Sequence, residues 1–167
     1  GVARECTDRA AEYAKVRKQF GRVIATYQAV KHHCANMLVA TELATGAVWD
    51  AARAASAGGD QFSFTAAMAA TLAIPAAHDC ASLGTQVHGG IGFTWEHDAH
   101  LYLRRGAALG AIVDAHQAAV DSVDLTRAGV RRARSVDLPP EAEPLRAEVQ
   151  AFIGSVRDLP VAEQKTR

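Results

Sequence analysis

Two short stretches of the chain carry side chains suited to holding an anionic, aromatic ligand. The first is Arg17-Lys18-Gln19-Phe20-Gly21, followed by Tyr27-Gln28. A guanidinium such as that of Arg17 can pair with a diphosphate through two parallel N–H donors. An aromatic ring and a nearby amide, here Phe20 and Gln28, can hold a purine or a ribose. The ordinary alternative stands beside this one, since a basic residue at a helix C-terminus also serves as a solvated partner of the helix dipole. The second stretch, Gln86-Val87-His88-Gly89-Gly90-Ile91-Gly92-Phe93, places an amide and then nearly bare backbone at the end of a helix. Glycines there let a flat or phosphate-bearing ligand approach main-chain N–H groups closely, and they equally serve as a helix stop. The run is not a P-loop, because no Gly-Lys-Ser/Thr follows it, and it is not a glycine fingerprint after a strand.

Other chemistries find less support. His88, His97 and His100 lie near Glu96 and Asp98, but the chain has no Glu-x-x-His pair, no Cys-x-x-Cys and no His-Glu-x-x-His, so no metal site is expected. His32 and His33 are adjacent, point in different directions on a helix and are expected at the surface or in an interface. No serine or cysteine sits in a nucleophile context and no paired carboxylates stand out, so a self-contained catalytic set is not expected. Lysine plus arginine (18) balance aspartate plus glutamate (18), which argues against a nucleic-acid partner or an anionic membrane surface. Cys6, Cys34 and Cys80 are odd in number and set among helical alanines, as buried reduced thiols would be. No stretch has the apolar length of a membrane span, and Arg4, Glu5, Asp8 and Arg9 follow Gly1 where a signal peptide would be apolar. These features predict a cytoplasmic location. A start without methionine, inside a helical pattern, predicts a piece of a longer chain.

The elements that must position these residues read as all-α, with no sheet, because alanine is abundant, aromatics make up 6% of the chain and β-branched runs are absent. One helix is expected from Val2 to about Gln19, stopped by Gly21 as a left-handed cap. A second runs from about Tyr27 to Ala57, with Val30, Cys34, Met37, Leu38, Thr41 and Val48 at helical spacing, and ends at Gly58-Gly59-Asp60. A third, from about Ser63 to Val87, carries Met68, Leu72, Ala76, Cys80, Leu83 and Val87, with a kink expected at Pro75. After the Gly89, Gly90 and Gly92 turn, a fourth is expected from about Glu96 to Leu125, loosened near Gly106 and Gly110. Four helices with short connections predict an antiparallel four-helix bundle over residues 1–128. The chain changes character from Arg127, and residues 129–140, with Arg131, Arg132 and Arg134 ahead of Val136-Asp137-Leu138-Pro139-Pro140, read as a linker. Residues 141–167 begin an extra C-terminal helix, whose Leu145, Val149, Phe152, Ile153 and Val156 form one apolar face in need of a partner.

Taken together, Arg17-Lys18-Gln19-Phe20-Gly21, Gln28, and Gln86 through His97 resemble the C-terminal helical domain of the acyl-CoA dehydrogenase family. The eleven-residue step from Arg17 to Gln28 and the helix lengths between the motifs fit that family. The resemblance covers about residues 1–128. It implies α,β-desaturation of an acyl-CoA substrate, with FAD as cofactor, an electron-transfer acceptor, and an oligomer in which this domain reaches over a neighbouring FAD. By the match, Arg17 would contact the FAD pyrophosphate, Phe20 would pack by the cofactor, and Gln28 would hold its adenosine end. Gln86, Val87, His88, Gly89 and Gly90 would cradle the diphosphate and ribitol. The family's usual catalytic glutamate falls, by count from Arg104, on Val113, which cannot accept a proton. Asp114 is one residue late and is a poor substitute. The missing base makes a fragment inactive alone, and a cofactor-free helical scaffold is the alternative. Residues 138–156 resemble the first helix of a second acyl-CoA dehydrogenase copy, as in actinobacterial tandem enzymes that handle bulky acyl groups such as steroid side chains.

Overall fold

A computed structural model describes residues 1–133, 139–157 and 159. It divides the chain into two compact units, Gly1–Arg132 and Ala133–Arg167. The first holds five α-helices: α1 (Val2–Val16), α2 (Gln28–Ala54), α3 (Gly59–His88), α4 (Ala99–Ile112) and α5 (Ala115–Arg127). The long α3 packs against each of the other four, which makes it the axis of the bundle.

Small side chains set the packing distance. The buried face of α1 is Ala3, Cys6, Thr7, Ala10 and Ala14, a stripe at helical spacing that lets neighbouring backbones approach. At the centre, Met37, Thr41 and Cys80 are fully buried. The Thr7 hydroxyl donates to Ala3 O (2.8 Å) and lies 3.0 Å from the Thr41 hydroxyl, while the Cys80 thiol donates to Met37 O (3.5 Å). Three helices are thus joined by polar groups that are paired where they are buried, which avoids the cost of an unpaired donor or acceptor. All three cysteines are free; Cys6 and Cys80 are buried and Cys34 is half-buried. Burial pushes the Cys6 thiol up to about 11, with the nearby Cys80 and Glu5 adding to the effect.

Three elements depart from the sequence reading. First, α1 ends at Val16, and a two-stranded antiparallel hairpin follows, β1 (Lys18–Gln19) and β2 (Arg22–Val23), paired Lys18 to Val23 and Gln19 to Arg22. Phe20 (φ 52°) and Gly21 (φ 82°) form its two-residue loop, and positive φ at both positions is what a tight hairpin with twisted strands requires. Gly21 is therefore a hairpin residue rather than a helix cap. Ile24 N–H donating to Arg17 O (2.8 Å) and the Tyr27 hydroxyl donating to Gln19 O (3.0 Å) hold the hairpin in place. The Arg22 guanidinium lies over the Tyr27 ring at 4.0 Å.

Second, the expected fourth helix is two. Val113 is extended (φ −122°, ψ 115°), and the Asp114 carboxylate accepts from His116 N–H (2.9 Å) and Gln117 N–H (3.0 Å), capping α5. Third, Gly106 does not loosen α4. It is buried where α4 crosses α3, and an added Cβ would stand 3.1 Å from His78 Cα. Helix α3 runs without a break through Pro75, which is exposed.

Beyond α5, the last residues of the first unit are held to α2 and α3. The Arg132 guanidinium donates to both Asp50 oxygens (2.9 and 3.0 Å), and the Gln61 amide donates to Arg131 O (2.8 Å). The expected linker residues Arg134, Val136, Asp137 and Leu138 lie outside the described residues. The second unit contains a 3-10 turn (Pro140–Ala142) and α6 (Glu143–Val156), whose Leu145, Val149, Phe152 and Ile153 are exposed. No helix among the described residues is long and apolar enough to cross a membrane.

Candidate functional site

The end of α1, the hairpin and the end of α3 enclose a cleft of about 450 Å³. Arg17 and Phe20 line one side, and Val87, His88, Gly89 and Gly90 line the other. Two motifs separated by most of the bundle's length in sequence therefore meet. Arg17 can stand here because α1 stops just before it: its backbone is extended (φ −68°, ψ 127°), and its side chain is exposed. Phe20 is 92% exposed although its backbone is held at positive φ, a conformation that costs a residue with a Cβ about 1 kcal/mol. An exposed aromatic ring in a strained turn brings no core energy in this unit, which is the pattern of a residue kept for contact.

On the opposite wall, Gly89 (φ 65°) ends α3 and leads into a 3-10 turn, Gly89–Phe93. Nothing lies within 4 Å of a Cβ added at Gly89 or Gly90, so the backbone there faces open space. Gly92 differs: its added Cβ would stand 2.7 Å from Thr85 O, so it is small in order to let the turn fold back onto α3. Below the glycines His88 is nearly buried, and its Nδ1 is 2.7 Å from Gly84 O. A carbonyl only accepts, so Nδ1 carries the hydrogen. The His88 ring stacks on Tyr13 (4.5 Å between centroids) and meets His97 (4.3 Å).

Six of the eight residues singled out from sequence are gathered in this cleft. Gln28, the first residue of α2, and Gln86 on α3 are exposed and do not line it. Gln19 and Tyr27, from the first candidate stretch, also line it, together with Tyr13, Ile24 and Val30, which the sequence motifs do not include. Tyr13 carries a sequence signal, for it lies four residues before Arg17 in the stretch expected to be helical, and so on the same expected face. The pinning of the hairpin by Tyr27 depends on a strand pair that the sequence pattern does not predict.

The cleft offers a cation for an anion, aromatic rings for a planar group and exposed glycine backbone for phosphate oxygens. It contains no carboxylate to act as base. The Asp114 carboxylate is engaged at the start of α5, where it accepts from His116 and Gln117 N–H. Among the described residues, no group of three or more His, Cys, Asp or Glu side chains is arranged to hold a metal.

Comparison with known proteins places the domain in a family. The family model for the acyl-CoA dehydrogenase C-terminal domain matches residues 1–123. The acyl-CoA dehydrogenase FadE34 of Mycobacterium tuberculosis (strain ATCC 25618 / H37Rv) is 51% identical over 162 residues, which is 96% of this chain and 23% of that protein. IpdE2 from the same strain, also an acyl-CoA dehydrogenase, is 44% identical over 63% of this chain and 31% of its own length. The chain thus spans less than a third of the length of these relatives, 23% of one and 31% of the other. Among solved structures, a variant of the Tcur3481-Tcur3483 steroid ACAD superposes with a TM-score of 0.71 at 29% identity, over 77% of this chain and 36% of that one. Butyryl-CoA dehydrogenase from Megasphaera elsdenii superposes at 0.66 and 24% identity, over 78% of this chain and 33% of that one, and supports the fold alone. With the matched residues covering most of the chain, it belongs to the acyl-CoA dehydrogenase family, and its first 123 residues are that family's C-terminal helical domain.

Proposed function

We propose that this chain supplies part of the FAD site, and an oligomer or domain interface, of an acyl-CoA dehydrogenase whose catalytic base lies elsewhere. The observation that carries this reading is the meeting of Arg17 and Phe20 with Gly89 and Gly90 in one cleft, although Gly89 follows Arg17 by 72 residues. The residues fit the cofactor's chemistry. Arg17 would pair with the pyrophosphate, Phe20 would pack against the cofactor, and the Gly89-Gly90 backbone would approach phosphate or ribitol oxygens with no Cβ in the way. Gln28 and Gln86, exposed beside the cleft, would hold the parts of the ligand that extend past it.

In the whole enzyme the flavin supplies the acceptor for the substrate's β-hydride. This chain's contribution is to bind and orient. The Arg17 charge neutralises an anion, and the stacked Tyr13 and His88 rings keep the glycine turn in position. No group here removes the α-proton: Val113 occupies the position where the family's glutamate is usual, and Asp114 caps a helix. The acyl-CoA substrate and the electron-transfer acceptor are partners of the intact protein. A bulky acyl group such as a steroid side chain is favoured by the similarity to the steroid ACAD. Alignment with FadE34 over 96% of the chain includes much of the second unit, which supports reading residues 141–167 as the start of a further domain after a linker at 129–140. That domain would be the N-terminal helical domain of a second acyl-CoA dehydrogenase copy, in a cytoplasmic protein.

A cofactor-free scaffold is the second reading, favoured by Val113. The flavin spectrum of the full-length protein separates the two. A yellow protein that bleaches when an acyl-CoA is added without oxygen, and loses flavin in the Arg17→Ala variant, agrees with the first reading. A colourless protein supports the scaffold, and unchanged flavin retention after loss of Arg17 and Gln86 refutes the assignment of these two side chains to the flavin.

A further inference from the structure

Resting on the flavin-cleft reading, we propose that His97 is a proton-sensing latch: its neutral ring closes the start of α4 and holds His88 against Tyr13 beneath Gly89-Gly90, so that its protonation loosens the cleft. The contacts define the protonation states. Ala99 N–H donates to His97 Nδ1 (3.1 Å), so that nitrogen must be free of hydrogen, and the neutral ring carries its proton on Nε2. Ala99 is the first residue of α4, whose leading N–H groups have no acceptor within the helix, so the imidazole acts as a cap. Adding a proton to Nδ1 sets donor against donor and removes that cap.

The surrounding charges make the same ring sensitive. From α3, His88 touches it at 4.3 Å between centroids, and two imidazoles in contact do not both carry charge readily. From α1, Arg9 lies nearby, paired with Glu5 (2.7 Å) and Asp98 (3.2 Å), and its guanidinium lies over the Tyr102 ring of α4. Cys6 of α1 and Tyr102 line the small cavity shared by His88 and His97. His97 also sits at the positive end of the α4 dipole, where a cation is unfavourable. Asp98 is the one neighbour that favours the charged ring, and Arg9 already engages it. Desolvation first, then the proximity of His88, holds the His97 ring below its ordinary value of 6.5. A depressed histidine value means that the loosened state binds the proton more tightly than the closed one. The closed state is therefore fully favoured above about pH 6.5 and is lost as pH falls from there towards the depressed value.

The test uses the full-length holoprotein. Flavin release, followed by the fluorescence of freed FAD, is compared at about pH 7.5 and about pH 5.5, where linkage to one proton allows up to about a tenfold acceleration. His97→Asn keeps an oxygen that can accept the Ala99 N–H but cannot titrate in this range. The wild-type protein is expected to release flavin several-fold faster at the lower pH, and His97→Asn to show a ratio near one. An unchanged ratio in the variant overturns the latch. Hydrogen-exchange protection of the peptide containing Ala99 gives a second readout that needs no flavin: it should fall at the lower pH in the wild type and hold in His97→Asn. A protein colourless at pH 7.5 refutes the flavin reading alone, and the exchange comparison still decides the latch, since equal loss of protection in both proteins refutes it.

Discussion

Replacing Gly106 with alanine should be less favourable than replacing Gly110, four residues along the same helix. Both substitutions exchange glycine for the best helix former in α4, a gain of about 1 kcal/mol in each case. They differ in what the new methyl group meets. At Gly110 the nearest atom is Ile74 Cγ2 at 4.0 Å, an ordinary contact. At Gly106 the methyl would stand 3.1 Å from His78 Cα and 3.3 Å from both Ala77 O and His78 N, all of them backbone atoms of α3. Rotation of a side chain cannot relieve such contacts, so the two helices must separate, and overpacking of this kind costs about 1–3 kcal/mol. Gly110→Ala should therefore stabilise the protein by about 1 kcal/mol, and Gly106→Ala should range from neutral to about 2 kcal/mol destabilising. Equilibrium urea unfolding measures both, and comparing the two variants cancels the propensity term. Equal stabilisation by the two would refute the close α3–α4 crossing.

Phe20→Gly should raise stability by up to about 1 kcal/mol, because it relieves a positive φ at a ring that is exposed, while weakening flavin retention. A stability loss in thermal unfolding would show that Phe20 packs within the chain. In the full-length protein, Arg17→Ala should weaken FAD binding by about 1.5–3 kcal/mol, the range for hydrogen bonds to charged groups, which a flavin titration resolves as a tenfold or greater change. The Asp50 carboxyl is held below its usual value of 3.8, chiefly by its hydrogen bonds from Arg132. Its stabilising contribution is present above about pH 3.8 and is lost as pH falls through the depressed folded-state value, so acid unfolding should flatten in Asp50→Asn over that window. An acid profile unchanged by the substitution would show that the Arg132 clip is energetically silent.

Much of the bundle was legible because alanine-rich helical periodicity persists over long stretches. The α2 and α3 helices fall within a few residues of the expected bounds, and Met37, Thr41, Ala76 and Cys80 lie on the expected buried faces. The same periodicity misassigned Leu38 and Val48, which are exposed. A single apolar stripe does not say which of two adjacent faces a neighbouring helix covers. The hairpin was hidden because its loop residues, Phe20 and Gly21, lack the Asn-Gly signature of such turns, and a two-residue strand has no period to read. The break between α4 and α5 has a local signal in Asp114, a residue type favoured at helix N-caps.

The residue types at the candidate site were determined by the sequence alone: a guanidinium, an aromatic ring, two amides and a glycine run. These are covalent facts, and spacing along a helix adds which of them share a face. The tertiary structure decided which of them meet. The hairpin turns Arg17 and Phe20 towards the end of α3, while Gln28 and Gln86 remain outside the cleft. It also decided that His88 stacks on Tyr13 and meets His97, and that Asp114 serves a helix. Side chains distant in sequence converge only once the small-residue faces of α1, α2 and α3 have set the distance between the helices, and that distance is a property of packing rather than of local pattern.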